Sequence, residues 1–126
     1  MKHILIACGV LFVVLVFCIV SMSTVRASAY ETLEALTVSY QFARNRDFAS
    51  AASALSRAEQ SWKSHEDFLS TVLAHNEVDK VATNFAELRQ YVLARDYDDY
   101  LATVSELIET IRHMRQVELP VYYNIL

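Results

Sequence analysis

The sequence predicts an all-α protein: an N-terminal transmembrane helix followed by a four-helix antiparallel bundle built from two helical hairpins. Three observations carry this. The nineteen residues from Ile4 to Met22 contain no charge. Apolar residues then recur at heptad-like spacing from residue 30 to 115. The 126 residues hold one Gly and one Pro, Gly9 inside the apolar run and Pro120 near the end, whereas a β-rich or α/β domain of this size needs turn glycines and prolines. The same scarcity excludes Gly-rich phosphate loops, dinucleotide-binding turns and nucleophile elbows.

At 1.5 Å per residue, residues 4–22 make roughly 28 Å of helix, close to the ~30 Å hydrocarbon core of a bilayer. The chain therefore divides into a membrane anchor, residues 1–26, and a helical domain, residues 27–126, with an apolar tail over 119–126. A cleaved signal peptide is the rival reading, because Ala27-Ser28-Ala29 sets small residues at the spacing a signal peptidase reads. The run is longer than the ~7–15 residues of an ordinary signal core, and Arg26 adjoins the would-be site. Both points favour an uncleaved anchor. Lys2 and Arg26 nearly cancel on the positive-inside count, so the short N-terminal tail and the α-amino group decide for a cytoplasmic N-terminus with the bulk of the chain outside.

Cys8 and Cys18 both fall inside the apolar run, and neither lies in a lipobox. The domain beyond has no disulfide, zinc knuckle or thiol nucleophile, and no Asn-x-Ser/Thr glycan signal. Beyond Arg26 the chain carries 9 basic and 15 acidic side chains, a net of −6. That balance argues against nucleic acid or an anionic membrane surface as a partner.

Four helices are expected in the domain, over roughly 30–44, 48–74, 77–94 and 97–116. The first stripe is Tyr30, Leu33, Leu36, Tyr40 and Ala43. The second is Phe48, Ala52, Leu55, Trp62, Leu69 and Leu73, flanked by Ala51, Ala58 and Val72. Val78, Val81, Phe85, Leu88 and Val92 form the third. Tyr97, Tyr100, Val104, Leu107, Ile111 and Met114 form the fourth, widened by Leu101 and Ile108. Stripes this wide face a core. Asp47 and Asp96 are placed to N-cap the second and fourth helices. Arg46-Asp47-Phe48 recurs as Arg95-Asp96-Tyr97, an offset of 49. The motif resembles the turn of tetratricopeptide hairpins, but that period is 34 and its Trp and Gly positions are missing here. Two helical hairpins that reuse one turn are expected, not a solenoid.

Few constellations point to chemistry. His75 and Asp79 share a face at i, i+4, while Glu77 points away. A His–carboxylate pair could begin a metal site, yet no third ligand is spaced to join it, so an ion pair steadying a helix start is expected. Glu59 and Glu66 flank Trp62 at heptad spacing. Di-iron bundles want Glu-x-x-His, which occurs nowhere, and His65-Glu66 fails His-Glu-x-x-His because Leu69 stands at the fifth position. Both glutamates are expected to edge the stripe and reach water, with Trp62 in the core. Arg44, Arg46 and Arg57 form the one basic cluster, assigned to partner helices, caps and solvent. The tyrosines are expected at the core boundary with their hydroxyls wet. The tail Leu119–Leu126 is apolar, and Pro120 should stop the last helix before it. It is expected to fold back over the bundle or to dock on a partner.

Taken together, Trp62 in the second helix, the run His75-Asn76-Glu77-Val78-Asp79, the late helix with Leu107, Ile108, Ile111 and His113, and the ending Asn124-Ile125-Leu126 resemble a family. Its members are short membrane-anchored proteins of spore-forming Firmicutes, known as a domain of unknown function. The resemblance spans essentially the whole chain. It implies one N-terminal apolar helix with about 90–100 helical residues after it, and genes near those of uncharacterised multi-pass membrane proteins. It brings no activity and no cofactor.

The expected function is a non-enzymatic accessory, anchored in lipid through residues 4–22, whose helical domain binds another membrane or envelope protein. Trp62, His75, Glu77, Asp79, Asn124, Ile125 and Leu126 are the candidate interaction or structural residues. No catalytic, cofactor or metal residue is assigned. The alternative is a sensor with a small-ligand or metal pocket among the helices.

Overall fold

The computed structural model describes residues 1–72 and 74–117. Among these, all regular structure is helical: α1 (Lys2–Arg44), α2 (Phe48–Ser64), α3 (Glu66–Val72), α4 (His75–Ala94) and α5 (Tyr97–Val117). The tail 119–126, with Asn124, Ile125 and Leu126, lies outside the described residues.

The main departure from expectation is α1. The helix expected to anchor the chain and the helix expected over 30–44 are one helix of 43 residues, a rod of about 64 Å. Nothing between them can break it. Residues 23–29 contain neither Gly nor Pro. The hydroxyls of Ser23 and Thr24, which elsewhere compete for the backbone, donate back to the carbonyls of Ile19 and Val20, each at 3.0 Å. The N-terminal half stands clear of the rest of the molecule. It holds an 18-residue window of mean hydropathy 3.2, none of it buried, so by length and composition α1 can cross a membrane.

The C-terminal half of α1 packs on α2 and α5, and α4 packs on α5 and α2, so the four long helices close a ring. The seam between α1 and α2 is the most extensive, and small residues make it so. Ser28, Ala29, Thr32, Ser39 and Ala43 of α1 are buried with Ala51, Ala54 and Ala58 of α2. With so little side chain between them the backbones approach until Ser39 Oγ donates directly to the Ala51 carbonyl at 2.8 Å. The buried face of α1 is therefore turned from the stripe expected. Leu36 and Ala43 are buried as foreseen, but Leu33 and Tyr40 are half-buried and Tyr30 is 62% exposed.

The helix expected over 48–74 is interrupted at His65, where α2 ends and α3 begins one residue later. The His65 ring nitrogen Nδ1 lies 3.1 Å from the Ser61 carbonyl and 2.9 Å from Ser64 Oγ. A polar side chain thus takes up a carbonyl the helix would have used. Leu69 of α3 still reaches the core.

The repeated Arg-Asp-aromatic motif builds the same turn twice. Arg46 and Arg95 are left-handed, with φ of 60° and 54°. After each, the aspartate N–H closes on a carbonyl five residues back: Asp47 on Phe42 at 2.9 Å, and Asp96 on Tyr91 at 3.0 Å. The arginine N–H groups reach Ala43 and Val92. This is the Schellman pattern, with arginine at the position glycine usually takes. The same aspartates then cap the following helices, accepting from the N–H of Ser50 at 3.2 Å and of Asp99 at 3.3 Å. Helix end and helix start share one residue.

Candidate functional site

The α2–α4 seam carries an open cleft of ≈ 220 Å³. Helix periodicity lines it: Ala52, Leu55 and Glu59 of α2 stand at successive turns on one face, opposite Arg89, Val92 and Leu93 of α4. Leu55 and Val92 belong to the core and floor the cleft. Leu93 forms its rim and is 83% exposed.

One end of the cleft is closed by charge. The Glu59 side chain is only 13% exposed. It accepts a hydrogen bond from Arg89 across the seam and an ion pair from Lys63 at 3.3 Å on its own helix. Burial pushes the Glu59 carboxyl up, but the hydrogen bonds and charges of Arg89 and Lys63 outweigh it and hold the group below its ordinary value. The expectation that Glu59 reaches water is thus corrected: two cations converge on its Oε1. What the cleft offers a ligand is a strip of aliphatic surface ending in a neutralised acid. Such a strip fits the apolar face of an amphipathic helix.

The residues singled out in the sequence do not gather here. Trp62 sits one turn beyond Glu59 on α2 but faces inward, 3% exposed, and its indole N–H has no partner among the described residues. His75 opens α4 and pairs with Asp79 at 3.7 Å, both side chains exposed, with Glu77 half-buried nearby. Among the described residues no three of His, Cys, Asp and Glu come together to hold a metal ion. Arg89 and Leu93 were not singled out. The one signal for Leu93 is an apolar residue standing beside the stripe at Val92, where a polar one would continue the solvent face.

The tyrosines divide. Tyr40, Tyr91 and Tyr97 lie at the boundary as expected. Tyr100 is a correction: it is completely buried, and its hydroxyl bonds Ser39 at 2.5 Å. Burial raises its pKa, opposed by the Ser39 hydrogen bond. Of the expected basic cluster, Arg46 is committed to the fold, its guanidinium 4.2 Å from the centre of the Tyr97 ring.

No curated protein and no solved structure matches the chain. Residues 19–125 match a family profile that begins in the exposed apolar half of α1 and runs through every other helix. The chain belongs to the family described as a domain of unknown function, DUF4363.

Proposed function

We propose that this protein is a single-span membrane protein of a bacterial cell, its N-terminus cytoplasmic and its bulk extracytoplasmic, that works by binding rather than by catalysis. Residues 4–22 hold it in lipid. The remainder is a four-helix antiparallel bundle of two hairpins that binds another membrane or envelope protein along the α2–α4 cleft. The supporting observation is the cleft itself: Leu93, almost fully exposed on an otherwise well-sorted helix, beside Leu55 and Val92. A bare leucine on the rim of an apolar strip is what a partner's side chains would cover.

The test is site-specific photocrosslinking in cells. A photoreactive residue at position 93 should capture one discrete partner, and the same probe at exposed Arg57 should not. Glu59 and Arg89 left intact, Leu93→Glu should abolish pull-down of that protein by the full chain without lowering its melting temperature. Equal capture from both positions, or undiminished recovery by Leu93→Glu, would remove the cleft from the interface. Orientation is read separately. With Cys8 and Cys18 replaced by Ser, an Arg57→Cys variant, at an exposed position away from the cleft, should react with an impermeant maleimide on intact cells.

A further inference from the structure

The fold brings two arginines together that the sequence keeps far apart. Arg26 lies four residues past the end of the apolar run, about 6 Å up the helix from Met22. Arg115 lies in the last turn of α5. Both line one open cleft of ≈ 470 Å³ between α1 and α5, with Ser23, Ala27, Tyr30 and Glu31. Arg115 and Tyr30 also line the adjoining cleft, which carries Arg112 and Glu34. Arg112 is engaged by Glu109 on its own helix at 2.5 Å. Glu31 faces across to α2, where its carboxylate accepts from the Ser61 hydroxyl at 3.4 Å. The two guanidiniums of the cleft thus outnumber its one carboxylate, and that carboxylate is turned toward another helix.

The height of this cleft identifies its occupant. Arg26 and Ser23 follow directly on a stretch whose large side chains, from Ile4 to Val20, are all exposed. If that stretch spans a bilayer, the cleft stands at the level of the headgroups. Arginine is the side chain best matched to phosphate, since its planar fork donates two parallel hydrogen bonds. Tyr30, 62% exposed, supplies the amphipathic ring that settles at a membrane–water boundary. We infer that the Arg26–Arg115 cleft seats the phosphate of an anionic phospholipid headgroup from the bilayer that holds α1. The domain's net charge of −6 pointed the other way. An average over the domain hides a local reversal made only when α5 returns to α1.

The inference rests on the reading of residues 4–22 as a membrane span, and one experiment separates the two. Full-length protein is reconstituted with vesicles of phosphatidylcholine alone or with phosphatidylglycerol, and flotation establishes insertion. Association of dansyl-phosphatidylglycerol and dansyl-phosphatidylcholine is then read by energy transfer from Trp62, the sole tryptophan. The wild type should prefer the anionic lipid, each arginine contributing about fivefold (~1 kcal/mol), and the preference should shrink at 1 M salt. Arg26→Gln with Arg115→Gln should insert and melt as wild type does yet lose the preference, and 10 mM inorganic phosphate should not compete. Insertion with equal association of both lipids overturns the cleft and leaves the anchor standing. So does a preference that survives in the double variant. Competition by free phosphate would make the site one for a soluble anion and overturn the lipid assignment. Failure to float with either vesicle overturns the span, and the cleft with it.

Discussion

Ser39 and Tyr100 meet where α1, α2 and α5 pack together, 61 residues apart in sequence, with the Ser39 hydroxyl donating to the Ala51 carbonyl and sharing a second hydrogen bond with the Tyr100 hydroxyl. Three helices are tied at one oxygen. Neither side chain is exposed, so the bonds form in a dry, low-dielectric setting where an unpaired polar group is costly.

The two ends of that bond should not be equivalent. Tyr100→Phe removes one hydroxyl and leaves Ser39 still bonded to Ala51, so it should cost about 0.5–1.5 kcal/mol. Ser39→Ala strands the Tyr100 hydroxyl in the core and should cost about 1–3 kcal/mol. Denaturant melts of the full chain in detergent would measure both, and a Tyr100→Phe cost above that of Ser39→Ala would refute the assignment. Because the Tyr100 pKa is raised, its share of the stability holds below pH ~10 and drains away as the pH climbs further. Tyr100→Phe should flatten that alkaline decline.

Glu59 supplies the opposite pH dependence. Its native pKa is lowered, so its stabilisation is present above the unfolded value of ~4.3 and is lost as pH falls through the native one. Melting temperature recorded from pH 7 to pH 3 should drop less steeply for Glu59→Gln than for wild type. Arg89→Ala removes the cation across the seam but leaves Lys63 on the carboxylate, and should cost about 0.5–1.5 kcal/mol at pH 7. An Arg89→Ala melt identical to wild type would mean that the pair contributes nothing to the α2–α4 seam.

The two left-handed arginines also make unequal predictions. A left-handed non-glycine residue costs roughly 1–2 kcal/mol, and glycine recovers this less about 0.4–1 kcal/mol of unfolded-chain entropy. Arg95→Gly should therefore stabilise by about 0.5–1 kcal/mol. Arg46→Gly gives up its stacking on Tyr97, worth about 0.5–1 kcal/mol at an exposed site, and should come out near neutral. Chemical denaturation midpoints decide this, and a destabilising Arg95→Gly would contradict the turn geometry.

Trp62→Ala should cost about 3–5 kcal/mol, as for other buried large aromatics. Trp62→Phe keeps most of the apolar volume and discards an indole N–H that has no partner among the described residues, so it should cost under about 1.5 kcal/mol. Thermal melts within a degree or two of wild type for Trp62→Ala would put this side chain outside the core.

How far the fold was legible differs from helix to helix. The α4 stripe was largely legible: Val78, Val81, Phe85, Leu88 and Val92 are all buried, because large apolar side chains at helical spacing mark the core face of an amphipathic helix, and only the polar Asn84 among them was missed. The same reading turned α1 the wrong way. Ser28, Thr32 and Ser39 count as polar in a hydropathy pattern, yet they are the residues that allow close approach to the alanines of α2. Size, not polarity, chose that face. The aspartate caps were legible because capping is local. The cleft was not. Glu59 and Arg89 meet across a seam whose crossing height depends on how α2 and α4 slide past each other, and no single-helix periodicity contains that information.

The unbroken α1 has a mechanical consequence. A rod without a swivel locks the azimuth of the domain to that of its apolar half: whatever grips residues 4–22 also decides which compass direction the α2–α4 cleft faces. Each residue inserted between Met22 and Ala27 would swing the domain by about 100° and lift it by about 1.5 Å. Seven inserted residues would lift it by about 10.5 Å while returning it to within about 20° of its original heading. Direction and height are thus separately adjustable in one short stretch of helix, and a partner that reads the cleft from a fixed bearing would tolerate the second change better than the first.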